Sequence, residues 1–116
     1  MADPILVAKK DAAEFLLLTN MANRHGVITG ATGTGKTVTL QRIAEGFSQR
    51  GVPVFMADIK GDLTGIAKTG QLNDKLKARL AEHSLPEPKW QACPVTLWDI
   101  WGEQGHPVML QRFFVI

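Results

Sequence analysis

Little in this chain invites a disulfide or a metal cage: of 116 residues, one is cysteine and three are histidine. Cys93 has no second cysteine to pair with, which excludes an internal disulfide and suits a reducing, cytoplasmic setting. His25, His83 and His106 are widely scattered, so no zinc-ligand spacing arises. Neither sign of charge dominates; 13 Lys and Arg against 11 Asp and Glu leave +2, too small a bias to argue for nucleic acid. No apolar run reaches the roughly 20 residues of a membrane span. Phe15, Leu16, Leu17 and Leu18 follow Lys9 and Lys10, but Asp11 and Glu14 interrupt that segment and it is too short for a secretory signal. Internal repeats and low-complexity tracts are missing as well. What remains is an ordinary globular composition, 45% hydrophobic and 21% charged, of a size for one domain at most.

Against that background, residues 30–37 read GATGTGKT, the GxxxxGK[ST] form of a phosphate-binding loop. The apolar pair Val27 and Ile28 leads into it and a helical period leads out, so strand, glycine loop and helix follow in the required order. Gly30, Gly33 and Gly35 let main-chain N–H groups close round an anion. The small side chains of Ala31, Thr32 and Thr34 leave room for a triphosphate. Lys36 opens the helix, where free N–H groups and the dipole already favour phosphate, and its ammonium is the catalytic cation for the β- and γ-phosphates. Thr37 supplies a hydroxyl for Mg²⁺, and Val38 ends the nucleotide-binding stretch. The implied ligands are ATP and Mg²⁺.

Around the loop, residues 5–8 and 15–18 form two apolar runs separated by Lys9, Lys10 and Asp11, which predicts two strands joined by a turn. Residues 1–25 are therefore expected to form a small β element and loop, and residues 26–116 a nucleotide-binding core. Residues 26–29 are the strand that delivers the loop. From residue 36 to 50, Leu40, Ile43, Ala44 and Phe47 recur at helical spacing, and Gly51 and Pro53 stop the helix. Residues 52–57 are an apolar run ending at Asp58, the pattern of a strand buried on both faces of a parallel sheet. A turn at residues 60–62, a short helical turn over 63–68, a helix over 72–82 and a strand over 95–100 complete the pattern. Lys75, Lys77 and Arg79 are expected on a solvated helix face, and Trp90, Trp98 and Trp101 in buried packing.

Two further runs carry a resemblance: ADIKGD at residues 57–62 and MANRHG at residues 21–26. With the phosphate loop, they make the chain resemble the bacterial HerA-like ATPases, within the HerA/FtsK group of P-loop motors. The specific match covers about residues 21–66, and WDIWGE at 98–103 with GHP at 105–107 extends it more weakly. The resemblance implies an α/β P-loop NTPase with a RecA-like parallel sheet, a hexameric ring of identical subunits, and use of ATP to move along or remodel DNA; no membrane partner is expected, for want of a span-length apolar run. Gly30, Gly33, Gly35, Lys36 and Thr37 match the family's nucleotide loop, and Asp58 matches its acidic residue at the end of the second strand.

Two features depart from that pattern. The group carries an adjacent Asp-Glu pair on a later strand, and no such pair occurs in these 116 residues. Asp58 and Asp99, each ending an apolar run, are the candidates to support Mg²⁺ instead; the alternative for both is a cap or turn role. A strand-plus-crossover unit takes roughly 30 residues, so a five-stranded core needs about 150 and the sheet here is expected to be incomplete. The chain is accordingly expected to be the N-terminal portion of a longer ATPase, and whether residues 108–116 are family sequence stays open. Two other functions stay open: a small-molecule phosphotransferase, for which the dispersed arginines offer no lid segment, and a non-catalytic short chain that binds and modulates full-length subunits.

Overall fold

The computed structural model describes residues 3–108. Strands β1 (Ile5–Lys10) and β2 (Ala13–Leu17) form an antiparallel hairpin with Ile5 opposite Leu17 and Lys10 opposite Ala13. The expected turn moves outward. Lys9 and Lys10 stay in the strand, and Asp11 makes the bend at φ 54°, a left-handed conformation that a short polar side chain tolerates. Helix α1 (Lys36–Ser48) follows the phosphate loop, as its apolar spacing predicts. It ends where expected, with Gly51 N–H donating to Ser48 O and Val52 N–H to Phe47 O in a Schellman pattern. Helix α2 (Asp74–Glu82) begins two residues later than expected because the Asn73 side chain accepts the N–H of Leu76 at 2.8 Å and caps it. Lys75, Lys77 and Arg79 lie on its exposed side.

The hairpin is fastened to α1. Ile5, only 1% exposed, lies against Gly46, where an added Cβ would come within 2.6 Å of the Ile5 Cγ2. Arg42 of α1 donates to Leu6 O at 3.0 Å, and Arg50, just past the end of α1, donates to Asp3 O and Pro4 O, so two guanidiniums satisfy carbonyls at and just before the start of β1.

The parallel sheet expected from the sequence is not among the elements of the described residues. Residues 26–29 and 52–57 adopt no strand pairing, and Val27 and Phe55 are 85% and 93% exposed. The physical reason is pairing: a parallel strand is stabilised by its neighbours, and these two runs have none beside them. The expected strand at 95–100 shrinks to β3 (Trp98–Asp99), paired in parallel with β4 (His106–Pro107). Buried roles for the tryptophans hold only in part. Trp90 is half-buried, its ring against Gly70, but Trp98 and Trp101 are exposed because no layer covers β3. Among the described residues the buried apolar side chains are Ile5, Ala44, Leu63 and Ile66. The chain leaves 10441 Å² accessible, against roughly 6,200 Å² for a compact protein of this mass. The tail from residue 109 on lies outside the described residues.

Gly46→Ala is expected to destabilise the fold by about 1–2 kcal/mol, because overpacking against Ile5 outweighs the gain in helix propensity. In an Ile5→Ala background the same change removes the clash and should stabilise by up to about 1 kcal/mol. Urea unfolding of the four proteins measures the reversal of sign.

Candidate phosphate-binding site

The loop at residues 30–37 is built on backbone freedom and one carbonyl. Gly33 and Gly35 take φ 80° and 93°, in the left-handed region, and Gly35 is the N-cap of α1. Gly30 is required by space, since a Cβ there would meet the Thr34 hydroxyl oxygen at 2.5 Å. The Ala31 carbonyl gathers three donors: Thr34 N–H at 3.3 Å, the Thr34 hydroxyl at 2.7 Å and the Lys36 ammonium at 2.7 Å. Lys36 therefore folds back over the loop. Ala31, read from sequence only for its size, is the residue whose carbonyl ties the loop together. Thr32 and Val38 are exposed, Val38 on the first turn of α1.

The loop after the second apolar run meets α1 on its polar side. The Asp58 carboxylate accepts the N–H groups of Lys60, Gly61 and Leu63 at 3.2, 2.8 and 3.0 Å, which closes residues 58–63 into a turn. Those bonds, the one from Leu63 foremost, hold its carboxyl below the usual aspartate range against an opposing desolvation. Its oxygens are thus spent on its own loop. The turn instead carries Asp62 to the helix, where the Thr37 hydroxyl donates to Asp62 Oδ2 at 3.2 Å and the Gln41 amide donates to Asp62 O at 3.2 Å. Neither Asp62 nor Gln41 was singled out from sequence. The available signal was the i, i+4 spacing of Thr37 and Gln41, which puts two polar groups on one face of α1.

Asp99 behaves as Asp58 does. Its oxygens accept the N–H groups of Trp101, Glu103 and Gln104, with Gln104 the main cause of a lowered carboxyl pKa. It closes the turn between β3 and β4, and among the described residues its carboxylate bonds only to that turn.

For Mg²⁺, the residues present fit. The Thr37 hydroxyl is a hard oxygen donor, with the Asp62 carboxylate beside it on an exposed surface, the kind of oxygen group that suits Mg²⁺. An open concavity of about 560 Å³, lined by Asp3, Asn20, Phe47 and Arg50 among others, lies by the other end of α1; nothing of the phosphate loop lines it.

The family described as helicase HerA-like C-terminal matches residues 3–111. That takes in nearly the whole chain, hairpin included, and the chain belongs to this family. No curated protein and no solved structure matches it. The description names a C-terminal unit, which corrects the expectation of an N-terminal portion. The match also runs past Pro107, to residue 111. No helix among the described residues is long and apolar enough to cross a membrane.

Because the folded pKa of Asp58 is lowered, the stability it lends the 58–63 turn is fully present above the pKa of an unfolded aspartate and is lost as pH falls through the lower folded value. An acid titration followed by NMR should show the amide protons of Leu63, Gly61 and Lys60 moving together, with a midpoint below that of an ordinary aspartate. In Asp58→Asn that common transition should vanish.

Proposed function

We propose that this chain is the ATP-binding part of a HerA-like P-loop ATPase, with Gly30 to Val38 enclosing the phosphates, Lys36 as the phosphate cation and Thr37 on the Mg²⁺ side. One observation carries the reading: GATGTGKT stands at the N-terminus of α1 with Gly33 and Gly35 left-handed and the Lys36 ammonium folded over the loop. An entering phosphate takes that ammonium from the Ala31 carbonyl, exchanging a bond to a neutral oxygen for one to a charged oxygen, about twice as strong. Helix N-terminal N–H groups add to the attraction. Mg²⁺, when bound, neutralises charge between the β- and γ-phosphates. Thr37 offers it a hydroxyl oxygen.

The family description, helicase, supports a motor acting on nucleic acid; the same reading takes it to work on DNA as a ring of like subunits, with an α/β core of RecA-like P-loop fold, in the cytoplasm. In that reading the exposed runs at 26–29 and 52–57 are core strands. Turnover needs a carboxylate to position water, and an arginine finger is worth about 10³ to 10⁵ in rate. Asp58 and Asp99 are both engaged in closing turns. This favours a second reading, nucleotide binding without turnover by a chain that modulates longer subunits.

A titration of the purified chain with ATP and Mg²⁺, following binding and phosphate release together, tests both. Lys36→Ala is expected to weaken ATP binding by about 10- to 100-fold, the worth of a hydrogen bond to a charged group. Binding without release supports a half-site. Release abolished by Lys36→Ala shows that the chain completes its own catalytic site, and unchanged binding in Lys36→Ala overturns the loop assignment.

A further inference from the structure

Thr37 and Thr39 stand on the same helix and use their hydroxyls differently. Thr39 donates back to Gly35 O at 3.0 Å, the usual habit of a helical threonine. Thr37 lies in the same first turns of α1, but its hydroxyl crosses instead to Asp62 Oδ2, contributed by a loop 25 residues further along the chain. A hydroxyl has one proton and two lone pairs. Once the proton is committed to Asp62, both lone pairs are left for a cation.

We infer that Asp62 is a positioning residue for the metal: it accepts the hydrogen bond of the Thr37 hydroxyl, fixes that rotamer and so leaves the oxygen lone pairs free for Mg²⁺. Several observations converge on this carboxylate rather than Asp58. Asp58 spends both oxygens on three N–H donors of its own turn. Asp62 Oδ2 accepts from Thr37, and among the described residues no other donor reaches its carboxylate. Its backbone is anchored on both sides, since Gly61 and Leu63 are the N–H groups that Asp58 holds. The Gln41 amide fixes its carbonyl from the helix side. The run DIKGD thus divides its work: Asp58 closes the turn, Gly61 makes the bend at φ 75°, and Asp62 reaches the helix. A carboxylate that orients a metal ligand without being consumed by the loop is the arrangement by which outer partners tune metal sites.

This inference rests on the nucleotide-binding reading, and the experiment separates the two. ATP affinity of the full chain is measured in EDTA and again in excess Mg²⁺, with Mn²⁺ and its EPR signal as a spectroscopic probe of the metal in the ternary complex. The ratio of the two affinities is the metal increment. Asp62→Ala is expected to keep metal-free ATP affinity within about twofold and to reduce the Mg²⁺ increment about tenfold, the scale of outer-partner loss, whereas Asp62→Asn, whose amide oxygen can still accept from Thr37, should lose less. The Mn²⁺ signal should broaden in Asp62→Ala. In a Thr37→Val background, Asp62→Ala should change nothing further. An increment in Asp62→Ala equal to that of the wild type overturns the inference while leaving the nucleotide site standing. So does an equal loss with and without metal, which marks Asp62 as merely structural. No ATP binding by the wild-type chain in either condition overturns the nucleotide reading itself.

Discussion

The contact between Ile5 and Gly46 holds the rest in place. A helix of 13 residues is marginal in water on its own and needs tertiary packing to persist. The hairpin provides it, with Ile5 seated in the gap that Gly46 leaves and with Arg42 and Arg50 bonded to carbonyls near the start of β1. Because α1 is stable, its first turn can support the glycine loop, and its polar side can receive Asp62. The chemistry at one end of the helix therefore depends on an apolar contact about two and a half turns away.

The rest of the molecule is held loosely by comparison. Leu63 and Ile66 are buried, and Ile66 O accepts the N–H of Cys93, so the segment after Asp58 is tied down at its far end. The runs that precede the phosphate loop and Asp58 are not. Their apolar side chains face water because the force that would bury them comes from strand neighbours on both sides. Unpaired apolar strands of this kind are sites of association. The glycine loop at residues 30–37 can keep its form without them because its bonds are local, from Ala31 O to Thr34 and Lys36.

What was legible in the sequence was what depends on near neighbours. The hairpin, α1, the short turn at Thr64–Ala67 and α2 follow from period and punctuation. The strands at 26–29 and 52–57 have the right composition, but composition cannot supply the partner that pairing needs. The same distinction governs the site. GATGTGKT can be read as a phosphate loop from contiguous residues alone, whereas the bond on which the role proposed for Asp62 rests exists only once two segments 25 residues apart are brought together. Asp58 was noticed because it ends an apolar run, and that position makes it a turn former. The exposed Trp98 and Trp101 were expected inside because tryptophan is large and apolar, a tendency that holds only where a second layer exists.

The uneven placement of the tryptophans has an optical consequence. Trp90 is half-buried on Gly70 with its Nε1 bonded to Glu87, while Trp98 and Trp101 stand in water. Emission from such a trio is weighted toward the red by the two solvated indoles. Anything that comes to cover the open face near β3 shifts that emission to the blue, so the chain carries its own fluorescent gauge of whether its surface is dressed or bare.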